Sequence, residues 1–326
     1  MSKTNLLVIS PPDAALSRNL EPLRSAGDVF ISNEQMELER LAPAAEVIVL
    51  AGAPGKSIDF PKIWQHATRA RWVHSLSAGV EKLLFPELVD SAVPLTNARG
   101  VYKRSLAEFA LLGMLYHYKR VRLMLNQQLQ HQWAQFSVQC SQGRVMGIVG
   151  YGETGRECAL LASALGLRIH ALRRNPHKSI QDPLVERVFG PQQLQQMLSG
   201  IDVLLCAAPL TRETHHLISH AQFAVLKPSA LLINLGRGAV VDEAALITAL
   251  QNGRLLGASL DVFEQEPLCE HSPLWGMENV LISPHCTDWT EHPAALDLTI
   301  GFFIENFRRY QKGEPLENIV DKRAGY

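Results

Sequence analysis

Apolar positions along this chain fall into two patterns that alternate. Short continuous runs bounded by polar or turn-forming residues predict buried strands, and longer stretches with an apolar residue every three or four positions predict helices. In the first hundred residues the runs are Leu6–Ser10, Val47–Ala51, Trp72–Leu76 and Val93–Thr96, with a weaker one at Val29–Ser32. Between them Ala14–Ala26, Glu34–Ala42 and Lys62–Arg69 carry helical spacing. From Val145 the alternation resumes more regularly. Val145–Val149, Arg168–Leu172, Val185–Phe189, Val203–Ala207, Leu231–Leu235, Gly257–Asp261 and Val280–Ser283 predict strands, and Glu153–Leu165, Gln192–Leu198 and Asp242–Asn252 predict helices. Strand–helix alternation of this kind predicts an α/β chain built on open parallel sheets.

Two long helical stretches frame the second set. Tyr102 to about Leu125 is apolar nearly all round, which predicts one buried helix joining two lobes. Ser105 and Glu108 have capping-box spacing near its start. A closing amphipathic helix is predicted from about Ala294 to Tyr310, followed by a polar tail; this helix would return to the first lobe. A complete α/β unit is thus expected inside the chain, with no internal repeat.

Composition narrows the class. The 326 residues are long enough for two domains, and 47% apolar against 19% charged residues excludes a disordered chain. Lys plus Arg is 31 against 32 acids, so there is no electrostatic footprint for nucleic acid or for an anionic membrane. No apolar run approaches the roughly 18 residues of a spanning helix. The opening MSKTNLLVIS runs directly into a strand pattern, which predicts neither a signal nor a transit peptide. Five cysteines, an odd number with no CxxC pair, fit a reducing compartment, and the expected location is cytoplasmic.

The strongest motif comes after the first strand of the inner unit. Val145–Val149 leads into Gly150-Tyr151-Gly152-Glu153-Thr154-Gly155, the pattern G-x-G-x-x-G between a strand and a helix. Gly150 permits the tight turn, Gly152 lets backbone approach a pyrophosphate, and Gly155 lets the helix pack close with its amide dipoles facing the phosphates. Context raises this above an ordinary glycine-rich turn and predicts dinucleotide binding.

Cofactor choice is written at the end of the next strand. An NAD-binding unit usually offers an acid about 20 residues past the loop, to bond the ribose 2′-hydroxyl. This chain offers Arg173-Arg174-Asn175, with no Asp or Glu from Gly166 to Gln181. Two solvated surface arginines would read the same way, but their place at this strand end favours a site for a 2′-phosphate.

Three polar residues stand just past three later strands: Arg237 in NLGRGAVVDEAAL, Glu266 in DVFEQEP and His285 in SPHC. An arginine can hold a carboxylate and polarise a carbonyl. A histidine can supply or accept a hydroxyl proton, and an acid keeps the imidazolium favourable and oriented. Each alone reads as a loop cation, a surface acid before proline, or one of 12 histidines. Together, beyond a dinucleotide loop, they suit hydride transfer at a carbonyl.

These residues make the chain resemble the D-isomer-specific 2-hydroxyacid dehydrogenases over almost its whole length. The stretches that carry the resemblance are SAGVEKL (77–83), NARGVYKRSLAEFALLGML (97–115), GIVGYGETG (147–155), PLTRET (209–214), INLGRGAVVDEAAL (233–246), DVFEQEPL (261–268) and SPLWGMENVLISPH (272–285). The resemblance implies that Arg237, Glu266 and His285 are catalytic, and that the backbone of Ala78 and Gly79 holds the substrate carboxylate. Tyr151, Glu153, Thr154, Pro209, Thr214, Leu235, Gly236 and Asp261 match cofactor-contacting positions beside the three loop glycines. The implied fold is two Rossmann-like, doubly wound lobes with the active site in the cleft. Residues 1–101 and 286–326 would bind substrate, and the inserted lobe 102–285 would bind the dinucleotide. Homodimerisation through the nucleotide lobe is implied as well.

The departures from the pattern sharpen the expectation. Arg173 and Arg174 point to the NADP-preferring branch, with NAD(H) bound more weakly. Trp289, where the family often has a small residue, would narrow or cover the substrate pocket. The expected activity is that of an NADP(H)-dependent 2-oxoacid/2-hydroxyacid oxidoreductase, similar to glyoxylate and hydroxypyruvate reductases. A dinucleotide-sensing corepressor on the same fold is the alternative; the full Arg/Glu/His set and the lack of long flanking segments favour the enzyme. No metal site is expected: His215, His216 and His220 cluster, but no nearby Cys or acid completes a set in the sequence.

Overall fold

The computed structural model describes residues 3–11, 14–51, 58–288 and 293–326. Two compact units divide the chain, Met1–Tyr102 with Glu291–Tyr326 and Lys103–Thr290.

The smaller unit opens β1 (Thr4–Ile9), α1 (Ala14–Asn19), β2 (Gly27–Ser32), α2 (Gln35–Leu41), β3 (Val47–Leu50), α3 (Phe60–His66), β4 (Trp72–Ser75), α4 (Pro86–Asp90) and β5 (Leu95–Asn97). Its five strands are parallel in the order β2-β1-β3-β4-β5. The central strands are apolar without alternation because both sheet faces are covered. The first predicted helix stops at Asn19, and Pro22 sits in a separate 3-10 turn, where its missing N–H breaks no helical ladder. Asp59 explains why α3 starts before Lys62: its side chain accepts from the Lys62 N–H at 3.3 Å and caps the first turn.

The larger unit contains α5 (Lys103–Tyr118), α6 (Val121–Leu129), β6 (Val145–Val149), α7 (Glu153–Ala164), β7 (Arg168–Leu172), β8 (Arg187–Phe189), α8 (Leu194–Leu198), β9 (Val203–Cys206), α9 (His220–Val225), β10 (Leu231–Asn234), α10 (Glu243–Gln251), β11 (Gly257–Leu260) and β12 (Val280–Ile282). Its parallel sheet runs β12-β11-β10-β9-β6-β7-β8. That is the dinucleotide-fold order with one further strand at the edge. On one face Ala107, Ala110 and Met114 of α5 cluster with Cys158, Ala159 and Ala162 of α7. The other face buries Leu198, Phe223, Leu246 and Leu250 from α8, α9 and α10. Both halves of the fold class read from the sequence are therefore present, as two doubly wound parallel sheets.

The single helix expected over Tyr102–Leu125 is two. Arg120 adopts a left-handed backbone (φ 54°) that ends α5, and none of the residues of α6 is buried. Apolar composition without a covering layer misled the periodicity. The capping box is also absent. Ser105 lies within the first turn of α5 and its hydroxyl donates to the Thr287 carbonyl, while Glu108 accepts from Arg104 Nε at 2.8 Å.

The chain returns to the smaller unit with α11 (Pro293–Lys312). Phe303 and Phe307 are fully buried there, with the Phe303 ring 5.3 Å from Trp72 and 5.0 Å from His74. Each such ring contributes about 1.5–3 kcal/mol by burial. The tail is anchored as well: Ile319 bridges Thr96, and Lys322 Nζ donates to the carbonyls of Leu88 (2.7 Å) and Ser91 (2.6 Å).

Candidate active site

In a doubly wound sheet ligands collect at the carboxyl ends of the strands, where the strand order reverses. In the larger unit that point lies between β6 and β9. Gly150 turns the chain there with φ 93°, and a Cβ on it would collide with the backbone of Ala208 after β9. Only glycine fits that backbone crossing. Nothing stands within 4 Å of the position a Cβ on Gly152 would take, so the loop faces open space just where α7 begins at Glu153. Exposed backbone at a helix N-terminus fits a pyrophosphate. Tyr151 turns inward instead: it is buried, and its hydroxyl donates to Asp182 Oδ2 at 3.2 Å.

The neighbouring loops pack tightly. Thr214 Oγ1 donates to the Pro209 carbonyl at 2.6 Å, folding the Pro209–Thr214 segment onto itself. Leu235 N–H donates to Cys206 O at 3.0 Å, and Gly236 N–H to Asn234 Oδ1 at 3.2 Å. Gly155 lies in the first turn of α7 beside Thr154.

At the end of β7 the half-buried Arg173 donates from Nη1 to the buried Ser179 hydroxyl at 2.5 Å. Arg174 is exposed and within electrostatic reach of Glu213. An acid does approach this region, one residue beyond the acid-free stretch in the sequence. Asp182 accepts from Arg156 Nε at 2.8 Å as well as from Tyr151. Partial burial pushes its carboxyl up, but the Leu184 N–H, Arg156 and Tyr151 together hold it below its ordinary range. Its charge is answered by Arg156 and leaves Arg173 without a competing acid in its own turn.

Three further strand ends carry Arg237, Glu266 and His285. His285 Nδ1 and Glu266 Oε2 are 2.7 Å apart, the geometry of an Nδ1–H donating to a carboxylate. Glu266 Oε1 accepts from the Phe263 N–H at 3.1 Å, which locks the carboxylate plane. His285 itself sits at φ 52°, an uncommon conformation for histidine. Arg237 follows β10 half-buried, with Nη1 donating to the Gly236 carbonyl at 2.7 Å.

Residues expected in other roles, or passed over in the sequence, hold this arrangement. Asp261, expected to meet cofactor, spends both oxygens on the histidine turn: Oδ1 accepts from Cys286 N–H at 3.2 Å and Oδ2 from the Thr287 hydroxyl at 2.5 Å. Ser105 takes the Thr287 carbonyl from the other side. Gly238 lies so close to the Phe263 carbonyl that no side chain fits between the Arg237 and Glu266 loops. Glu243 and Glu264 exchange backbone and side-chain bonds at 2.9 and 3.3 Å, tying the Glu266 loop to the start of α10. None of these pairings leaves a sequence signal, because all link residues far apart in the chain.

The histidine cluster needs correcting. Acids do meet it: His216 Nε2 lies 2.9 Å from Glu264 Oε1, and with Asp242 the donor atoms fall within 4.8 Å of one another. Asp242 accepts from Ala245 N–H and from the Ser219 hydroxyl, so it caps α10. The group reads as a histidine–carboxylate contact beside an N-cap. Ala78 and Gly79 follow β4 in the smaller unit, where the Ala78 carbonyl accepts from Asn97 Nδ2 at 2.6 Å. Trp289 lies outside the described residues.

Comparison with known proteins decides the family. Residues 111–287 match the model of the D-isomer specific 2-hydroxyacid dehydrogenase, NAD binding domain. The chain belongs to the D-isomer specific 2-hydroxyacid dehydrogenases. A glyoxylate/hydroxypyruvate reductase A of Photorhabdus laumondii is 32% identical over 284 residues, covering 83% of this chain and 88% of that protein. A D-isomer specific 2-hydroxyacid dehydrogenase family protein from Aeromonas salmonicida superposes with a TM-score of 0.85 at 31% identity, covering 98% of this chain and 100% of the other. An NADPH-dependent glyoxylate/hydroxypyruvate reductase of Sinorhizobium meliloti, solved with NADP and sulfate, gives 0.85 at 27% identity, covering 99% and 100%. Membership supports 2-hydroxyacid dehydrogenase activity and nicotinamide-dinucleotide binding for this chain. No helix among the described residues is long and apolar enough to cross a membrane.

Proposed function

We propose that this dehydrogenase is an NADPH-dependent reductase of small 2-oxoacids such as glyoxylate and hydroxypyruvate, with His285 as its acid–base group. The observation that carries the reading is the 2.7 Å His285–Glu266 pair on the same sheet edge as Arg237. When bound, the reduced nicotinamide supplies a hydride. The fork of Arg237 grips the substrate carboxylate and polarises the adjoining carbonyl. Nδ1–H of His285 is committed to Glu266, which leaves Nε2 to pass a proton to the oxygen as it gains negative charge. Glu266 stabilises the imidazolium before that transfer and keeps the ring oriented after it. The backbone of Ala78 and Gly79 is the smaller unit's place for substrate, and the larger unit serves the nucleotide.

The backbone of Gly150–Gly155 holds the pyrophosphate, with Pro209, Thr214, Leu235 and Gly236 shaping the rest of the nucleotide site. Arg173, set by Ser179, meets the 2′-phosphate of NADP, with Arg174 adding charge; the NADP-bound relative from Sinorhizobium meliloti supports this choice. A charge-assisted bond of this kind contributes about 1.5–3 kcal/mol, less where water reaches it, so NADH binds more weakly but is not excluded. The working form is a homodimer: α6 and the segment after it expose Leu129 (80%) and Trp133 (98%), apolar surface that a second copy would cover. Five free cysteines favour the cytoplasm.

The test titrates NADPH and NADH at one salt concentration and follows turnover of both with glyoxylate and hydroxypyruvate. Unmodified protein should prefer NADPH by about ten- to a hundredfold, and Arg173→Asp should reverse the preference. Equal affinity for the two nucleotides in unmodified protein would mean that Arg173 is an ordinary surface residue.

A further inference from the structure

A chain of hydrogen bonds joins the glycine loop to the turn after β7, and Asp182 stands at its centre. On one side its Oδ2 accepts from the Tyr151 hydroxyl at 3.2 Å and from Arg156 Nε at 2.8 Å. Tyr151 lies between Gly150 and Gly152, and Arg156 follows Gly155, so both bonds reach the loop and the first turns of α7. On the other side the backbone of Asp182 closes the turn. Its N–H donates to the Ser179 carbonyl at 3.0 Å, and its own carbonyl accepts from the Val185 N–H at 3.0 Å. Oδ1 accepts from the Leu184 N–H at 3.1 Å, which fixes the carboxylate in the same turn. Ser179 passes the hold on: it is buried, and its hydroxyl accepts from Arg173 Nη1 at 2.5 Å. The Tyr151 phenol is within electrostatic reach of both Asp182 and Arg173, so the two ends of the chain are neighbours in space.

An arginine side chain has several rotatable bonds, and fixing them when a ligand arrives costs affinity. Arg173 held in advance by Ser179 avoids that cost, and a planar guanidinium fork gains most from being held at the right angle. Ser179 is held in turn by the segment that Asp182 ties down. The charge of Asp182 acts the other way, since an anion near a 2′-phosphate repels it. Arg156 at 2.8 Å offsets that charge, so the positional effect outweighs the field.

We propose that Asp182 is a positioning residue for cofactor selectivity: it pins the Ser179 turn to the glycine loop and so holds Arg173 in place for the 2′-phosphate of NADP. The proposal rests on the NADPH reading above, and its test separates the two. Only NADP carries that phosphate, so a link that serves Arg173 affects NADPH more than NADH. Damage to the glycine loop alone would weaken both nucleotides alike.

The experiment measures dissociation constants of NADPH and NADH at one salt concentration, from the fluorescence of the reduced nicotinamide. The proteins are the full chain, Arg173→Ala, and Asp182→Ala and Asp182→Asn, each alone and combined with Arg173→Ala. Asp182→Ala should lower the preference for NADPH over NADH by about five- to tenfold. In the Arg173→Ala background the same substitution should change the preference by less than about twofold, because the group it positions is gone. Asp182→Asn removes the charge and keeps the shape, and should lower the preference by a smaller factor. It carries the test if Asp182→Ala fails to fold. A preference for NADPH that is unchanged or raised, or that falls equally with and without Arg173, overturns the role of Asp182 and leaves the NADPH reading intact. Unmodified protein that binds NADH as tightly as NADPH overturns the NADPH reading, and this proposal with it.

Discussion

The two units are built on the same plan and differ in the loops at the ends of their strands. Each is a parallel sheet covered on both faces, and each has a point where strand order reverses, between β1 and β3 in one and between β6 and β9 in the other. After β6 come Gly150, Gly152 and Gly155, which let backbone cross backbone and leave amide groups at the head of α7. After β1 come Ser10, Pro11 and Pro12. Prolines have no N–H to offer a phosphate, and their fixed φ forbids the turn that Gly150 makes. Sheet order alone therefore does not make a nucleotide site; the chemistry of the loop does.

Histidines draw the same contrast. His74 lies wholly inside the smaller unit, stacked on Phe303 with Nδ1 2.7 Å from Thr96 Oγ1, and burial lowers its pKa to about 3. His285 stands at a strand end of the larger unit, partly open, with the Glu266 carboxylate on its Nδ1. One packs the fold, and the other is the proposed carrier of protons.

The sharpest way to break the comparison is to remove His285. His285→Ala should lower turnover by roughly a thousandfold while leaving the NADPH dissociation constant nearly unchanged, because the proposed nucleotide site is the β6 loop. Comparable activity in the variant would put the acid–base group elsewhere. Glu266→Gln should cost less, roughly ten- to a hundredfold in turnover, because the amide holds the His285 ring more weakly than the carboxylate does.

The smallest effect is on stability. His74 is held neutral in the folded chain, with a pKa near 3 against an ordinary value of 6.5, and His117 behaves alike, lowered by burial to about 4 against a bond to the Ala258 carbonyl. Their folded values lie below the unfolded ones, so protonation favours the unfolded chain. Each should remove stability as pH falls below 6.5, by up to about 1.4 kcal/mol per pH unit until its folded value is reached. In urea unfolding between pH 6.5 and 5, His74→Asn should flatten that slope. Parallel slopes for the variant and the unmodified protein would show that His74 carries no such linkage.

The same physics decides how far each region could be read from the sequence. β6 and β7 were legible end to end, β6 as an unbroken apolar run and β7 as a mostly apolar one that buries His170. Arg237, Glu266 and His285 stood out because each comes just after such a run, and the glycine loop because its spacing has a mechanical cause. The break at Arg120 was not legible: Val121, Leu123, Met124 and Leu125 carry the apolar run on past it, and only the absence of a covering layer sets α6 apart from α5. Asp182 escaped by one position beyond the stretch searched for acids. The clamp of Glu243 on Glu264, and the hold of Asp261 and Ser105 on the histidine turn, are tertiary pairings between distant segments. Periodicity reports which face is buried and says nothing about which distant partner meets it.

Hydride transfer to carbon 2 of a 2-oxoacid is the reaction that the arrangement of loops in the larger unit is proposed to serve. The direct test incubates the protein with hydroxypyruvate and NADPH deuterated at the transferable position of the nicotinamide, then analyses the glycerate by mass spectrometry and chiral chromatography. The account predicts D-glycerate with deuterium bound at carbon 2. Glycerate that lacks the label, or NADPH that is never consumed, would contradict it.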